Sequence, residues 1–426
     1  MKTPEQLRRE FWENDIMLHG GVIFNQYNEI KEVLANNDWN WVEKQYSIIK
    51  EYATKHTKFY QNYKHDMEFP VIDKLSIIDN YESHKSSGDF ELPIHISSTS
   101  GSTGTPFSAI QDYRKRMRNI ADLKVFGERC NYLSHERMIF LRVLSEKLHR
   151  TQEQEDRENI YYIDSSCLSE KSLESITKEI IKKNPKILLS YSSTLVELAK
   201  YIRSSDYSDK ITIKSILAGG EGLSEDNRIL LESVFKGTVY RRYSNMELGI
   251  LGQDMGGGGP YYLNWGSYYF ECLKENSNEP AEEGEVGRIV ITDLFNKAMP
   301  IIRYDTGDLG IMQKFSDGRL PVLKEVYGRK RDCVYSTNGE LLSPAKISVS
   351  MWGENDIKQW QFIQETKNGY ILKLNCNKNM ETRNVIDKLT KILGADAQIT
   401  VEFVEEIPVT SSNKRRAVVC NYQRTN

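Results

Sequence analysis

The chain has 426 residues, of which 39% are hydrophobic and 27% are charged. That length predicts about two to three domains and a core large enough to fold without disulfides or metals. The 57 lysines and arginines nearly balance the 60 aspartates and glutamates. Because general nucleic-acid and membrane-surface binders carry a basic excess, the composition argues against both classes.

The cysteines and the hydropathy pattern argue against a secreted or membrane protein. The six cysteines form no Cys-x-x-Cys motif and have no histidine near them at ligand spacing, so the sequence predicts neither a zinc site nor a disulfide framework. The N-terminus leads into charged helical sequence, and no run of about eighteen apolar residues occurs anywhere. We therefore expect a cytoplasmic protein with no membrane span and no nucleic-acid partner.

The first eighty residues are predicted to be mostly helical. Thr3, Pro4 and Gln6 form the pattern of a capped helix start, with proline at the first helical position. Apolar and aromatic residues recur near helical spacing over 41–63, which predicts a helix whose aromatics pack in the core. A short capped helix is predicted over 73–81.

A stretch rich in serine, threonine and glycine, residues 97–107, follows a short apolar–polar alternation. Glycine lets the backbone approach a ligand closely, and successive N–H groups beside hydroxyls form an anion-binding nest. The stretch is therefore a candidate phosphate loop, with a flexible linker as the alternative. It lacks the Gly-x-x-x-x-Gly-Lys-Ser/Thr motif, so it is not the P-loop of NTPases. The central residues are Ser100, Gly101, Ser102, Thr103 and Gly104.

Apolar strands alternate with amphipathic helices after this stretch. Strands are predicted over 138–144, 187–189, 213–217 and 238–241, and helices over 172–183, 195–202 and 223–235. The alternation predicts an α/β fold with mainly parallel sheets flanked by helices. Strand-rich sequence follows over 261–293.

The last hundred residues predict a smaller α+β unit. It has candidate strands over 370–374 and 398–404 and a candidate helix over 385–393. We place the boundary at the motif that begins with Gly328, which divides the chain into residues 1–327 and 328–426.

Four polar clusters follow predicted strands or end the small unit, and ligands bind at strand ends in open α/β sheets. The clusters are 218–222, 243–247, 304–309 and 408–414. Tyr243 would stack on a base, Glu247 would bind magnesium, and the two carboxylates of 304–309 would accept hydrogen bonds from ribose hydroxyls. Each cluster also fits an ordinary turn, and an exposed lysine such as Lys414 is usually solvated.

Taken in order, these clusters resemble the motifs of the adenylate-forming acyl-CoA synthetase superfamily. The compact length is most similar to its phenylacetate–CoA ligase branch, which includes proteins found with capsule-polysaccharide biosynthesis. Residues 99–106 are similar to the family's Ser/Thr-Gly-Ser/Thr-Thr-Gly-x-Pro signature. The other similar segments are 218–221, 243–247, 302–309, 328–332 and 408–414. Six motifs in the family's order span most of the chain.

The resemblance implies a ligase that joins a small-molecule carboxylic acid to AMP, with ATP and Mg²⁺, and releases pyrophosphate. The acyl group then passes to coenzyme A. It further implies that residues 1–327 are the ATP- and acid-binding domain and that residues 328–426 are a small mobile domain carrying the catalytic lysine.

The resemblance also implies roles for individual residues. Lys414 would be catalytic, and Glu247 would bind Mg²⁺. Asp308 would bind the ribose with help from Arg329. The other implied nucleotide-binding residues are Ser100, Gly101, Ser102, Thr103, Gly104, Gly219, Gly220, Glu221, Tyr243, Ser244, Asn245 and Met246.

Three positions depart from the family's pattern, namely Phe107, Met246 and Asn413. Met246 replaces the Ser/Thr that reaches the phosphates, so Ser244 or Asn245 would take that place. The hinge residue is either Arg331 or Asp332, and the sequence does not decide between them.

The acid and the acyl acceptor are left open by the sequence. Coenzyme A is the acceptor by resemblance, and the alternatives are an amine or amino sugar, which would give an amide, or a carrier-protein thiol. A degenerate nucleotide-binding scaffold is the rival function, and a homodimer is left open as the oligomeric state. Near the expected acid pocket, Arg142, Arg241 or Arg242 would bind a second anionic group or form structural pairs.

Overall fold

The computed structural model describes residues 2–63, 68–98, 108–144, 150–329, 334–342, 347, 350–351, 357, 359–377, 380–408 and 416–422. The helices are α1 (Pro4–His19), α2 (Val22–Asn36), α3 (Trp39–His56), α4 (Lys74–Asp79), α5 (Tyr81–His84), α6 (Tyr113–Glu128), α7 (Gln152–Glu158), α8 (Glu170–Lys183), α9 (Ser192–Arg203), α10 (Glu225–Phe235) and α11 (Arg383–Leu393).

The strands before residue 260 are β1 (His95–Ser98), β2 (Ser108–Gln111), β3 (Met138–Arg142), β4 (Ile160–Asp164), β5 (Ile187–Tyr191), β6 (Ser215–Gly219), β7 (Thr238–Asn245) and β8 (Gly249–Gln253). The later strands are β9 (Tyr261–Leu263), β10 (Tyr268–Leu273), β11 (Gly287–Asp293), β12 (Tyr304–Gln313), β13 (Val322–Arg329), β14 (Val334–Tyr335), β15 (Leu341–Leu342), β16 (Gln359–Gln364), β17 (Gly369–Asn375), β18 (Gln398–Phe403) and β19 (Val418–Cys420).

Side-chain caps set the start of several N-terminal helices. Thr3 and Gln6 each accept a hydrogen bond from the other's backbone N–H, which confirms the predicted capping box of α1. The predicted helix over 41–63 ends earlier, at His56, because the next residue is extended. The Asp73 carboxylate caps α4, and the predicted helix over 73–81 divides into α4 and α5.

The predicted core role of the aromatic residues around α3 is confirmed for most of them. Ile49 is 1% exposed and belongs to one cluster with Trp265. The partly buried aromatics that pack against this cluster include Trp41, Tyr52, Phe59 and Tyr63. Ile48, an aliphatic residue of the same helical pattern, faces outward instead, since 43% of it is exposed.

One eleven-stranded sheet forms the centre of the large domain, in the order β10-β11-β12-β13-β9-β8-β7-β6-β5-β3-β4. Strands β4, β3, β5, β6 and β7 pair in parallel, as the alternating strands and helices predict. From β7 to β10 every pair is antiparallel. No helix interrupts residues 238–329, so turns connect these strands without the crossovers that parallel pairing needs. The α/β fold class is confirmed, with four parallel and six antiparallel strand pairs in this sheet.

Apolar side chains cover both faces of the parallel half because alternate residues of a strand point to opposite faces. One cluster lies toward α8, α9 and α10 and includes Ile139, Leu188, Ile216 and Val239. The cluster on the other face, which we call the Tyr132 cluster, comprises Cys130, Tyr132, Met138, Ile187, Leu217 and Tyr240. Apolar side chains therefore pack on both faces of these strands, as is usual for parallel sheets.

Strands β1 and β2 form a separate antiparallel hairpin. Its pairing runs from His95 with Gln111 to Ser98 with Ser108. The segment between the last pair is the candidate phosphate loop, of which residues 99–107 lie outside the described part of the chain.

The C-terminal part has its own four-stranded sheet, in the order β18-β17-β16-β19. Helix α11 packs on it, and the buried core comprises Val334, Leu342, Ile347, Met351, Phe362, Tyr370, Leu372, Leu374, Val385, Leu389, Leu393 and Val418. The predicted small α+β unit is therefore present. Strand β13 of the large sheet reaches Arg329, and the domain boundary at 327/328 stays a prediction.

Among the described helices, none is both long enough and apolar enough to span a membrane.

Candidate functional site

The β1–β2 hairpin is bonded to the turn that follows β7. The Ser97 hydroxyl donates a hydrogen bond of 2.6 Å to the Met246 carbonyl. The Gln111 side chain donates one of 3.1 Å to the Glu247 carbonyl. Each strand of the hairpin is thus held by one residue of the turn, so the strands on both sides of the candidate phosphate loop lie beside Met246 and Glu247.

Two tyrosine hydroxyls join this turn to β12. The Tyr243 hydroxyl donates to Oδ2 of Asp308 at 2.8 Å, and the Tyr304 hydroxyl donates to Oε1 of Glu247 at 2.9 Å. These bonds connect residues that are 65 and 57 positions apart in the chain. The predicted motifs 243–247 and 304–309 therefore lie together, next to the β1–β2 hairpin.

Tyr243 is a buried residue of this site. It is 8% exposed, and burial, with the nearby Asp308 carboxylate, raises the pKa of its hydroxyl well above the usual value. The hydroxyl therefore stays protonated and donates to Asp308 at any physiological pH.

Of the two carboxylates predicted to bind ribose, one is already occupied by a structural partner. Oδ2 of Asp305 lies 2.7 Å from the Arg288 guanidinium, and its Oδ1 accepts the Gly307 N–H at 2.8 Å. Asp308 has the Tyr243 hydroxyl as its donor and is the Cα partner of Arg329 in the β12–β13 pairing. Asp308 is therefore the carboxylate of this motif that suits a ligand.

The side chains of the β7 turn have different roles. Oδ1 of Asn245 accepts the Leu248 N–H at 2.9 Å, so this side chain closes the turn. Ser244 is exposed, and 56% of Met246 is exposed. Of the two residues proposed to replace the missing hydroxyl at Met246, Ser244 is the one with a solvent-facing hydroxyl.

Gly219, Gly220 and Glu221 follow the neighbouring strand β6. Gly219 is the Cα partner of Arg242 in β7, so this segment lies next to Tyr243. Gly220 has a φ of +71°, which is the left-handed region that glycine tolerates best. Glu221 accepts the Ser193 N–H at 3.0 Å, so its carboxylate caps the first turn of α9.

Several predicted site residues lie outside the described part of the chain, namely Ser100, Gly101, Ser102, Thr103, Gly104, Arg331, Asp332 and Lys414. For Arg329 the backbone alone is described. The roles assigned to these residues stay predictions.

Sequence reasoning missed the buried residues that support the turn. The Lys115 ammonium lies 2.8 Å from the Asp293 carboxylate and donates to the Tyr268 hydroxyl at 2.9 Å. That hydroxyl in turn donates to the Leu248 carbonyl, one residue after Glu247. Nothing local in the sequence predicts contacts between residues this far apart. Tyr304 belongs to the motif 304–309, but the sequence does not predict its role as a donor to Glu247.

Glu247 fits a magnesium ion that is shared with nucleotide phosphates. Magnesium is usually bound through one or two carboxylates and substrate phosphates, not by an all-protein cage. Within the described residues no group of three acidic, histidine or cysteine side chains could hold a metal. A single carboxylate beside a candidate phosphate loop has the donor type that such a shared ion needs.

The chain is similar to known proteins in two ways: in sequence to CapK, and in fold to solved structures. Residues 334–421 match the family model of the CapK C-terminal domain. Protein CapK of Staphylococcus aureus is 24% identical over 263 residues, which cover 59% of this chain and 56% of CapK. The chain therefore aligns with about half the length of this curated relative.

Solved structures with a similar fold include a CoA ligase and an ATP-bound protein. A 2-hydroxyisobutyryl-CoA ligase in its postadenylation state, in complex with R3-HIB-AMP, has a TM-score of 0.71 at 14% identity, covering 89% of each chain. ATP-bound MatB from Rhodopseudomonas palustris has a TM-score of 0.55 at 16% identity, covering 75% of this chain and 66% of MatB. The resemblance predicted from six motifs is confirmed, and the chain has the fold of the adenylate-forming acyl-CoA ligases and is related to CapK.

Proposed function

We propose that this protein activates a carboxylic acid with ATP, forming an acyl-adenylate and pyrophosphate, and then transfers the acyl group to coenzyme A. The observation that carries the proposal is the pair of hydrogen bonds Tyr243–Asp308 and Tyr304–Glu247. These bonds hold two carboxylates of separate motifs beside the hairpin of the candidate phosphate loop. The fold of the neighbouring ligases supports the same reaction class.

Asp308 and the β6–β7 segments would bind the nucleoside. A carboxylate accepts hydrogen bonds from the hydroxyls of a ribose, and the Tyr243 hydroxyl holds Asp308 at 2.8 Å. Gly219 and Gly220 leave the backbone open beside Tyr243, so that a flat base can lie against it.

The phosphates would lie between the hairpin loop and Glu247. The backbone N–H groups and hydroxyls of residues 100–104 would bind the β- and γ-phosphates. When bound, magnesium would neutralise phosphate charge, and Glu247 supplies a carboxylate for it. Tyr304 would orient that carboxylate through its hydrogen bond of 2.9 Å.

Lys414 would supply positive charge where it develops in the transition state. The substrate carboxylate attacks the α-phosphorus, the bond to the bridging oxygen of pyrophosphate breaks, and negative charge builds on the α-phosphoryl oxygens. Removing one preorganised donor of this kind typically lowers the rate by about 10²–10³.

Exchange of labelled pyrophosphate into ATP, screened over aryl, alkyl and amino acids, tests the first step. Lys414→Ala should lower this exchange about 10²–10³-fold, whereas Lys391→Ala, a change at an exposed lysine of the same domain, should leave it unchanged. Asp308→Ala should weaken ATP binding, with Asp317→Ala at an exposed carboxylate as its matched control. Full exchange in Lys414→Ala with the true acid would refute the role of this lysine.

The acceptor is tested by product analysis. With the activated acid, ATP and coenzyme A, the proposal predicts a thioester and stoichiometric AMP. If an amide forms with an added amine or amino sugar and no thioester forms, the acceptor is the amine and not coenzyme A. ATP binding with no exchange for any acid would instead favour a nucleotide-binding scaffold.

A further inference from the structure

Strands β3, β5 and β6 end in line beside β7, and their last residues face the side that carries the Tyr132 cluster. Tyr191, Gly219 and Arg242 are successive Cα partners in β5, β6 and β7. Met138, Leu217 and Tyr240 belong to the Tyr132 cluster, and side chains two residues apart in a strand share a face. Arg242 therefore faces the same side as Tyr240, and Arg142, which ends β3, faces the same side as Met138.

Gly219 leaves a space in this row. A Cβ atom placed on Gly219 would have its nearest neighbours at ordinary contact distance, with the Arg242 carbonyl oxygen at 3.6 Å. With no side chain at this position, the row has a gap between Tyr191 and Arg242, about two strand spacings wide, or roughly 10 Å. Beneath it lie the apolar side chains of Leu217 and Tyr240. The gap is a recess that the backbone and Cβ of Arg242 border on the β7 side, while the Arg242 guanidinium is bonded to Gln253 of β8.

Arg242 is a partly buried cation with a neutral partner. Its Nε and Nη2 atoms both donate to Oε1 of Gln253, at 2.9 and 2.8 Å. The Gln253 amide nitrogen donates to the Phe126 carbonyl at 3.0 Å, which fixes the acceptor in place. Within the described ranges Arg242 forms no ion pair with a carboxylate. Its neighbour Arg241, which faces the other side of the sheet, is paired with Asp254 at 2.7 Å.

A partly buried guanidinium without a counter-charge is in an unfavourable environment. Burial lowers the pKa of Arg242, since desolvation penalises its charged form. An amide oxygen offsets this penalty less than a carboxylate does, because charge-assisted hydrogen bonds between ions are stronger. Arg242 would gain from an anion that enters the recess.

We propose that Arg242 is a specificity-determining residue and that the protein selects acids carrying a second negatively charged group. This inference rests on the proposed function, because the acid would be adenylated near the end of β7, the strand that carries both Arg242 and Tyr243. The carboxylate that reacts lies toward the nucleotide residues. The second anionic group binds the Arg242 guanidinium, and the apolar part of the acid occupies the recess above Leu217 and Tyr240.

Calorimetric titration of the whole protein with matched acids tests the recess without relying on catalysis. Glutarate is paired with valerate, and isophthalate with benzoate, so that the members of each pair differ mainly in their second charge. We expect at least one diacid to bind about ten- to a hundredfold more tightly than its monoacid, the range typical of one charged hydrogen-bonded contact. If both monoacids bind as tightly as their diacids, the inference is wrong.

Variants separate recognition from a structural role. Arg242→Gln should lower the ratio of diacid to monoacid affinity about tenfold or more, and Arg242→Lys should keep most of it. Arg319→Gln, at an exposed arginine paired with Asp317, is the matched control and should keep the ratio. If Arg242 only ties β7 to β8 through Gln253, its loss would weaken both acids equally or lower the melting temperature alone, and the proposal would fail.

Pyrophosphate exchange then distinguishes this inference from the proposed function. If diacids support exchange and Arg242→Gln raises their KM more than it lowers kcat, both proposals stand. If monoacids alone support exchange, adenylation stands and the role of Arg242 is refuted. If no acid supports exchange while diacids still bind in an Arg242-dependent manner, adenylation fails and the anion-binding recess stands.

Discussion

Replacing Lys115 by methionine should strongly destabilise the large domain, because it leaves the Asp293 carboxylate buried without a counter-charge. The two side chains are 0% and 1% exposed, and their charged atoms are 2.8 Å apart. Removing one partner of such a pair costs about 3–5 kcal/mol, against the roughly 5–15 kcal/mol by which a typical domain is stable. The loss also removes the donor to the Tyr268 hydroxyl.

Removing both charges together should cost less than the sum of the two single changes. Asp293→Asn keeps the Oδ1 acceptor used by the N–H groups of Phe295 and Asn296 while removing the charge. The double variant Lys115→Met/Asp293→Asn has no unpaired buried ion. We therefore expect a coupling free energy of about 2 kcal/mol between the two positions.

Urea titrations followed by circular dichroism measure these free energies on the full chain. Lys178→Met is the matched control, since Lys178 and Glu174 form an exposed pair, and its midpoint should equal that of the unchanged protein. An unchanged midpoint for Lys115→Met, or a double variant whose loss equals the sum of the single losses, would refute the reasoning.

Three further predictions concern pH, hydrogen bonding and backbone space. Burial lowers the pKa of His84 to about 4, below the value of about 6.5 in unfolded chains. The unfolded state is therefore protonated first as the pH falls. The contribution of His84 alone should lower the free energy of unfolding by about 3 kcal/mol between pH 7.5 and pH 4. In urea titrations, His84→Phe should lose less unfolding free energy between these pH values than the unchanged protein does. If both lose the same amount, His84 is not the cause. Tyr304→Phe removes the donor to Glu247, and we expect about a tenfold rise in the magnesium concentration needed for half-maximal exchange; an unchanged requirement would contradict the proposed role of Glu247. Gly237→Ala should lower the melting temperature because the new Cβ would lie 1.8 Å from a backbone carbonyl oxygen, whereas Gly222→Ala meets no atom within 4 Å and should melt as the unchanged protein does.

The parallel half of the sheet was predictable because its signals are local. Strands β5 and β6 are short apolar runs, such as 187–191, and each is followed by an amphipathic helix. For the antiparallel half, the sequence predicted only that residues 261–293 are rich in strands, and it did not predict the order of those strands. Its order depends on which strands meet across turns, as β13 does with both β12 and β9, and short-range patterns do not specify that choice.

The candidate site was predictable in its motifs and not in its bonds. The sequence predicted 243–247 and 304–309 as separate clusters. In the structure, the hydrogen bonds Tyr243–Asp308 and Tyr304–Glu247 join them. Glu221 was assigned to the nucleotide, but its carboxylate accepts an N–H at the start of α9. A bond between residues that are 57 or more positions apart depends on the completed sheet, so no local pattern could have predicted it.

Strand β7 is the only strand of the large sheet with a parallel neighbour on one side and an antiparallel neighbour on the other, within the part of the chain that the structure describes. Under the proposed function, the position of β7 separates the residues that bind the acid from the carboxylates that bind the nucleotide. The acid recess draws on β5, β6 and β7, whereas the nucleotide carboxylates lie after β7 and on β12. A substitution at Tyr191 can therefore change which acid is accepted while the nucleotide residues stay intact. New acid specificities would arise fastest on the parallel side of β7.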